Sequence, residues 1–206
     1  MKILVACEFF GAVRDAFIKK GHDAISCDLL PTEKPGPHYQ GDVLDILDDG
    51  FDLMIAHPTC TYLTNTAVQW LHAPDSYGKF LKGKPRWEAL DRSAEFFVTL
   101  LNANIPRICI ENPIPHKYAV ARIGRKYDQL VQPYMFGHPE RKATCLWLKG
   151  LPKLKQTNNI FLEMQKLPKS QQQKIFYMSP GKDRWKERSR TYQGIADAMA
   201  EQWGVK

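Results

Sequence analysis

The 206-residue sequence lacks several patterns that would assign it to a familiar class. No apolar run approaches the roughly 18 residues that a membrane-spanning helix needs, so we expect no membrane span. The first residues read as a strand rather than as the basic, apolar and cleavage regions of a signal peptide, which predicts a cytoplasmic protein. The five cysteines form no CxxC pair, which argues against a zinc site and against a disulfide framework.

The composition is that of a globular protein with a basic surface. Hydrophobic residues make up 44% and charged residues 25%, and 206 residues are enough for one well-buried domain, or for one domain plus a small appendage. A net charge of +7 and a pI of about 9.1 suit a polyanionic partner such as nucleic acid, although many basic proteins bind none. Basic residues form two clusters that could bind a nucleic-acid backbone or could simply be solvated loops. The first cluster contains Lys79, Lys82, Lys84 and Arg86. The second contains Lys182, Arg184, Lys186, Arg188 and Arg190, with Trp185 among them.

Two short apolar runs end in chemically useful side chains. Residues 51–56 have the length of a strand buried on both faces, and Pro58 stops its pairing two residues before Cys60. Residues 107–110 form a second such strand, followed directly by Glu111 and Asn112. Ligands of open α/β sheets bind at the carboxyl ends of the strands. If these two strands are neighbours, a thiol and a carboxyl group face one crevice.

The remaining patterns alternate strands with helices. Strands are predicted at 2–6 and 23–27, and helices at 12–20, 87–102, 116–123 and 193–203. Residues 130–136 and 144–148 resemble a late antiparallel pair, and the long polar stretch 61–86 is typical of a functional or mobile loop. This order predicts a mostly parallel α/β sheet with right-handed crossovers and a late antiparallel hairpin.

The first strand–turn–helix–strand unit has the arrangement of an adenosine-binding half. The helix N-terminus and the turn amides would meet the polar end of a ligand, and Asp28 could hold ribose hydroxyls. The turn contains one glycine, Gly11, rather than GxGxxG, which disfavours a pyrophosphate ligand. A smaller adenosine ligand without phosphates remains open.

The order of these pieces resembles the DNA cytosine-5 methyltransferases, and in particular their short phage- and prophage-type members. Residues 9–14 with 20–22 resemble the first motif of that family, and Gly-Asp-Val at 41–43 resembles its adenine-contacting Gly-Asp. Pro-Thr-Cys at 58–60 resembles the Pro-Pro-Cys nucleophile motif, and Glu-Asn-Pro at 111–113 resembles Glu-Asn-Val. The resemblance covers roughly residues 1–148 and 191–204, where 191–200 resembles the final helix motif.

The sequence departs from the family pattern in four places. The glycine-rich turn is reduced, and Thr59 replaces the second proline of the nucleophile motif. The family's Gln-x-Arg-x-Arg motif falls at Glu140, Lys142 and Thr144, so that only its middle position stays basic. The large target-recognition region is reduced to residues 150–190.

The resemblance implies a Rossmann-like S-adenosylmethionine-dependent methyltransferase fold acting on carbon 5 of cytosine in DNA. Residues 1–149 plus 191–206 would form the catalytic domain, and 150–190 a small irregular basic insert. The cofactor would be S-adenosylmethionine, and no metal is implied. The implied cofactor-binding residues are Phe9, Gly11, Asp28, Asp42, Val43 and Pro58.

The implied chemistry is covalent catalysis on a flipped base. A thiolate at Cys60 would attack carbon 6 of the pyrimidine, which requires a lowered thiol pKa, and Glu111 would hold the ring at N3 and supply a proton. Asn112 would position the loop of Cys60, and the 61–86 loop would close over the base. The implied substrate-binding residues are Lys84, Arg141, Lys142, Arg184 and Arg188.

Each assignment has an alternative. Cys60 could be a packing residue, and Asp28 and Asp42 could be helix caps. His57 could be a catalytic partner, but the preferred reading is a loop histidine whose hydrogen bonds are all made within the protein. The chain could also be a catalytically silent nucleic-acid- or nucleotide-binding protein on the same fold. A third reading is a pyrimidine-modifying enzyme that acts on free nucleotide or RNA. The target sequence and the oligomeric state do not follow from the sequence.

Overall fold

A computed structural model describes residues 1–66, 68–78 and 80–205. Lys79, assigned above to a basic loop, and Lys206, at the end of the expected catalytic domain, lie outside the described residues. The seven strands are β1 (Lys2–Ala6), β2 (Asp23–Asp28), β3 (His38–Gln40), β4 (Leu53–Ala56), β5 (Arg107–Pro113), β6 (Gln129–Val131) and β7 (Thr144–Lys149).

Eight α-helices and three 3-10 helices connect or follow these strands in the described part of the chain. The 3-10 helices are Val43–Asp45, Val68–His72 and Pro133–Met135. The α-helices are α1 (Ala12–Lys19), α2 (Lys84–Asn102), α3 (Lys117–Ile123), α4 (Phe161–Gln165), α5 (Lys169–Gln172), α6 (Lys174–Tyr177), α7 (Arg184–Ser189) and α8 (Gln193–Trp203).

The strands form one mixed sheet in the order β3-β2-β1-β4-β5-β7-β6. Strands β1 to β5 pair in parallel, whereas β7 runs antiparallel to both β5 and β6. The mostly parallel α/β sheet with a late antiparallel hairpin is therefore confirmed. The chain builds outward from β1 to β3 on one side and then returns to β4 on the other, so the topological switch point lies between β1 and β4. Open α/β sheets bind ligands at this position, beyond the carboxyl ends of the strands.

The sheet is buried on both faces, which explains why its central strands are almost entirely apolar. Helix α2 covers one face, where Leu90 and Phe97 pack with Trp147 of β7. Helices α1 and α8 cover the other face, where Phe17 packs with Met199 and Trp203 in one buried cluster. Within the described residues, no helix is both long enough and apolar enough to cross a membrane.

Several bounds differ from the expected ones. Helix α2 begins at Lys84 rather than at residue 87, and β5 continues to Pro113 because Glu111, Asn112 and Pro113 pair with β7. Strand β3 was not predicted. The segment 130–136 holds only the end of β6 and then a 3-10 helix, and the expected irregular stretch 150–190 contains the four short helices α4 to α7.

Candidate active site

Strands β4 and β5 bring Cys60 and Glu111 to the same edge of the sheet. The two strands are neighbours and run parallel, with Ala56 of β4 opposite Ile110 of β5. Glu111 is therefore the residue after Ile110, which pairs with the last residue of β4. Cys60 lies four residues beyond the end of β4. Burial is the main cause of the raised pKa of the Cys60 thiol, and the charge of Glu111 adds a smaller effect in the same direction, so the two groups are close enough to interact.

The loop that carries Cys60 is tied to the segment after β5. The carbonyl of Cys60 accepts hydrogen bonds from the amides of Leu63 (3.0 Å) and Thr64 (3.2 Å). A short antiparallel bridge joins Thr64 to Pro115. These contacts fix the thiol of a half-exposed loop relative to the strand that holds Glu111.

His57, the first residue after β4, makes an ion pair with Glu111. Its backbone amide donates to the carbonyl of Ala6 at 2.9 Å, which joins the ends of β1 and β4. Its Nδ1 lies 3.4 Å from Oε2 of Glu111, a distance that suits an ion pair and is long for a hydrogen bond. Neither Nε2 of His57 nor Oε2 of Glu111 has a hydrogen-bond partner, although both atoms are buried.

Asn112 is fully buried beside this pair. Its Nδ2 donates to the carbonyl of Pro113 at 2.6 Å, and its Oδ1 has no hydrogen-bond partner. The loop of Cys60 is held by backbone contacts, including a 3.0 Å bond from the amide of Asn65 to the carbonyl of Ile114. The expected contact from Asn112 to that loop is replaced here by these backbone bonds.

The pKa directions place the proton of the pair on His57. Burial alone would lower the pKa of His57, but its close contact with Glu111 and the charges of Glu111 and Glu8 outweigh it, so the net pKa is raised. Burial alone would raise the pKa of Glu111, but His57 and Lys142 outweigh it, so the net pKa is lowered. Both directions favour a cationic imidazole beside an anionic carboxylate.

The thiol of Cys60 does not have the lowered pKa expected of a nucleophile. Burial raises the pKa of Cys60, and its own backbone amide, Lys142 and Arg188 offset this effect only in part. In the free protein the thiol is therefore protonated at neutral pH. The cations that favour a thiolate are in place, and what opposes them is desolvation.

Two of the five expected substrate-binding residues lie near Cys60. Lys142 is buried enough that its ammonium pKa is lowered, and the charges of Glu111 and Cys60 act on it in the opposite direction. Its Nζ donates to the carbonyl of Arg190 at 2.9 Å. Arg188 is exposed, and its charge acts on both Cys60 and Lys142.

The other three expected substrate-binding residues make contacts elsewhere. Lys84 is exposed at the first position of α2, where its amide donates to Asp75. The guanidinium of Arg141 lies 5.7 Å from the ring of Phe161, and that of Arg184 donates to the carbonyl of Met178. These contacts do not bring their charges to Cys60.

The carboxyl ends of β2 and β3 combine acidic and apolar groups. Oδ1 of Asp28 accepts from the amide of Leu30 at 2.9 Å, and Oδ1 of Asp42 accepts from the amide of Leu44 at 3.0 Å. Both carboxylates thus cap local turns, as the alternative reading anticipated. Leu29 is 72% exposed beside them, although it is a large apolar residue at a ligand-binding edge.

In the turn between β1 and α1, a side chain of the protein itself accepts the hydrogen bonds of the first helical amides. Oε1 and Oε2 of Glu8 accept hydrogen bonds from the amides of Val13 (2.8 Å) and Arg14 (3.2 Å). We expected the N-terminus of α1 to meet a ligand, but these amides are occupied by Glu8. Cys7 has a φ of 58°, the one non-glycine residue with positive φ in the described part of the chain, so this turn is strained.

Gly11 is required by its surroundings in the fold. It has a φ of 71°, and a Cβ at this position would lie 2.4 Å from the guanidinium of Arg14. Arg14 is fully buried and donates to Ser26, Thr32 and loop carbonyls. The glycine therefore makes room for the side chain that anchors the proline-rich loop.

Helix α7 of the basic segment lies against the same turn. Trp185 packs on the buried ring of Phe9, with ring centroids 5.8 Å apart, and the guanidinium of Arg190 lies 4.4 Å from the ring of Phe10. Arg190 also pairs with Glu33 at 2.9 Å. Phe9 therefore contacts the basic segment, and this packing brings Arg188 towards Cys60.

Sequence reasoning favoured a minor role for His57 and did not name Glu8 as a site residue. His57 was preferred as a satisfied loop histidine over a catalytic partner, yet its Nε2 has no hydrogen-bond partner. Glu8 is 3% exposed and close enough to His57 for the two charges to interact. The available signal was position, because each is an ionisable residue within two positions of the carboxyl end of a central strand.

The structure is similar to solved methyltransferase structures. A putative DNA modification methyltransferase encoded within a prophage of E. coli shares 12% identity at a TM-score of 0.42, over 72% of this chain and 46% of that one. The methyltransferase EhMeth of Entamoeba histolytica shares 14% at 0.45, over 77% and 57%. The Dnmt2 methyltransferase of S. pombe shares 14% at 0.45, over 99% and 65%.

These likenesses are distant. The chain spans between 46% and 65% of the length of the three structures. The sequence matches no family model and no curated protein. At this level of similarity the comparison identifies neither the reaction nor the substrate.

Proposed function

We propose that the protein is an S-adenosylmethionine-dependent methyltransferase that acts on carbon 5 of cytosine in DNA. The observation that carries the proposal is the set of side chains at the ends of the parallel neighbours β4 and β5. There the thiol of Cys60 shares its surroundings with Glu111, whose Oε2 pairs with His57, and the neighbouring Asn112 has a buried Oδ1 without a hydrogen-bond partner. Buried polar atoms are normally paired, so an unpaired one at a ligand-binding edge suggests a partner supplied by substrate.

The chain's residues fit the adenosine part of the proposed donor. Leu29 leaves a large apolar surface exposed next to Asp28, and the amide of Gly41 joins the two loops by donating to the carbonyl of Asp28 at 3.0 Å. Leu29 would pack on the adenine ring and the Asp28 carboxylate would hold the ribose, whereas Val43 is only 4% exposed and packs in the core. When bound, S-adenosylmethionine supplies an electrophilic methyl group.

The amino-acid end of the donor has to be held differently from the expectation. Glu8 occupies the amides of Val13 and Arg14, so a ligand carboxylate cannot use them. The groups left for this end are the remaining amides of the turn and the ionisable side chains of the crevice.

The proposed reaction begins with the addition of the Cys60 thiolate to carbon 6 of the pyrimidine. A carbon–sulfur bond forms, and the electrons of the 5,6 double bond move into the ring and make carbon 5 nucleophilic. Glu111 donates a proton to N3 at the same time, which prevents charge from building up on the ring. After carbon 5 has been methylated, its proton is lost to solvent, the thiolate is expelled and N3 returns its proton to Glu111, which restores the aromatic ring.

DNA is the proposed substrate because of the positive charge around Cys60. Lys142 and Arg188 both act on the thiol, and Arg190 and Lys186 lie on the adjoining helix segment. Such a group can neutralise phosphates and hold a base that has been flipped into the crevice. On this proposal residues 1–149 plus 191–206 form the catalytic domain, and 150–190 form a reduced target-recognition region.

The test is direct analysis of the product. The protein is incubated with donor carrying a labelled methyl group and with duplex DNA, single-stranded DNA, RNA or cytidine nucleotides, and each substrate is then digested to nucleosides. The proposal predicts labelled 5-methylcytosine from DNA. Label in another nucleoside, or only in RNA or free nucleotide, would show that the proposed substrate or position is wrong.

One observation favours a second candidate, a nucleic-acid-binding protein that transfers no methyl group. Glu8 fills the helix N-terminus that a ligand was expected to use, and the Cys60 thiol pKa is raised. Calorimetry with S-adenosylmethionine separates the two candidates. Saturable heat supports the methyltransferase, whereas DNA binding without any heat from the donor supports the silent protein.

A further inference from the structure

The buried pair of His57 and Glu111 has a feature that the proposed reaction does not yet use. The reaction as written requires Glu111 to give a proton to N3, yet Glu111 is the anionic member of an ion pair, with its Oε2 3.4 Å from Nδ1 of His57. A carboxylate that has no proton cannot donate one. The proton has to come from the group beside it.

We infer that His57 is a positioning residue that stores the proton which Glu111 delivers to the target pyrimidine. This inference rests on the proposed function and deepens it. His57 acts through Glu111 and is not required to touch the base. A histidine suits this task because it is the side chain whose protonation changes near neutral pH.

The burial and surroundings of the pair support this role. The side chains of His57 and Glu111 are only 14% and 13% exposed, so exchange of their proton with bulk water is restricted. The backbone of His57 is fixed by its bond to Ala6, and that of Glu111 by pairing with Leu146 of β7. The imidazole of His57 and the carboxylate of Glu111 are therefore carried by strand ends whose backbones are held in place.

Charged groups on two neighbouring segments act on the pair. Glu8 in the turn after β1 acts on His57 and favours its cationic form, whereas Lys142 before β7 disfavours it. Lys142 also favours the anionic form of Glu111. Cys60 and Arg188 act on Lys142 and belong to the same group. The net directions, raised for His57 and lowered for Glu111, agree with a single proton held on the imidazole.

The proton balance of the cycle closes with this assignment. During addition, the carbon–sulfur bond forms, N3 takes a proton from the pair through Glu111, and His57 is left neutral. During elimination, the carbon–sulfur bond breaks, and the N3 proton returns through Glu111 to His57. The proton from carbon 5 leaves to solvent, which accounts for the one proton that methylation releases overall.

The first arm of the test does not depend on catalysis. NMR titration of histidine-labelled protein would follow the six histidines, and the resonance that disappears in His57→Gln identifies His57. The inference predicts that the His57 pKa lies above the ordinary value for histidine and falls by at least about one unit in Glu111→Gln. If the His57 pKa is the same in Glu111→Gln, the pair is not coupled and the inference is wrong, whatever the activity.

The second arm measures the pH dependence of covalent capture by DNA carrying 5-fluorocytosine. In the wild type the rate rises with pH as Cys60 ionises and falls again as the pair loses its proton. In His57→Gln, which keeps a hydrogen-bond donor but cannot store a proton, the falling limb moves to lower pH and the rate at about pH 8 drops about tenfold or more. His22→Gln, at the opposite end of the sheet, is the matched control.

The outcomes distinguish the two levels of the argument. A His57→Gln profile of unchanged shape, including a uniform loss at every pH, assigns only a structural role to His57 and overturns the inference. If the titration succeeds but the wild type captures no DNA at any pH, the proposed function fails and the catalytic role of His57 fails with it.

Discussion

The two halves of the carboxyl edge of the sheet differ in how their polar side chains are satisfied. At the ends of β1, β2 and β3, Glu8, Asp28 and Asp42 accept hydrogen bonds from backbone amides of their own loops. At the ends of β4 and β5, Nε2 of His57 and Oδ1 of Asn112 are buried without partners, and Oε2 of Glu111 makes an ion pair with Nδ1 of His57 but no hydrogen bond.

This difference separates structural polar groups from groups that await a ligand. A buried polar atom without a partner destabilises the fold by about 1–3 kcal/mol, so two of them in one place require an explanation. A substrate that supplies the missing partners is the simplest one. The first half then holds the fold and one face of the donor, and the second half performs the chemistry. Changes in the second half should affect activity, and changes at Glu8 should affect stability.

The largest expected effect is at Cys60. Cys60→Ala removes the sulfur that bonds to carbon 6, so methyl transfer should fall to background while donor binding and thermal stability stay close to the wild type. Cys109→Ala, inside β5, is the control with the same change and should retain activity. Normal methylation of DNA by Cys60→Ala would show that the reaction has no covalent step at this residue.

Glu111→Gln should have the next largest effect. The amide keeps the shape of the side chain but cannot deliver a proton, so kcat should fall by about 10²- to 10⁴-fold, as is typical when a general acid is lost. Steady-state methylation kinetics measure the change. A loss confined to KM would mean that Glu111 only binds the base.

Asp28→Ala tests the donor side of the comparison. Loss of a charged hydrogen bond to the ribose should weaken donor affinity about 10- to 100-fold, measured by calorimetry, with a smaller effect on kcat at saturating donor. Asp52→Ala, whose carboxylate accepts from the amide of Lys2 at the other end of the sheet, is the matched control. Equal donor affinity in Asp28→Ala and the wild type would show that Asp28 only stabilises its own turn and does not bind the donor.

Glu8→Ala should reverse the pattern and change stability. The amides of Val13 and Arg14 lose their acceptor at the start of α1, so the free energy of unfolding should fall by about 1–2 kcal/mol in chemical denaturation. An unchanged unfolding free energy together with a large loss of donor affinity would show that Glu8 binds the donor and does not stabilise the fold, which would contradict the proposed difference between the two halves of the edge.

The sequence predicts those parts of the fold that local pattern determines. The apolar periodicity of α2 and α8 and the apolar runs of β1, β4 and β7 correspond to elements with nearly the expected bounds. Strand β3 has three residues, two of them only partly buried, and exists through its pairing with β2. The last three residues of β5 are in a strand because β7 pairs with them. Pairing between distant segments leaves no local signal.

The same limit applies to the site. Strand-end position and motif order predicted that Cys60 and Glu111 would share a crevice, because parallel neighbours end at one edge. The ion pair of His57, the cap formed by Glu8 and the burial of Arg14 depend on side chains from several elements. The sequence alone does not show which basic residues of segment 150–190 approach Cys60. Arg188 does so, whereas Arg184 donates a hydrogen bond to Met178 within the same segment.

The most direct test of the account is covalent capture at Cys60. The protein is incubated with donor and DNA carrying 5-fluorocytosine, in which the fluorine blocks the final elimination, and the intact mass and the modified peptide are measured after denaturation. The account predicts a protein–DNA adduct whose bond maps to Cys60 and which is absent in Cys60→Ala. No adduct, or one at a different residue, would contradict it.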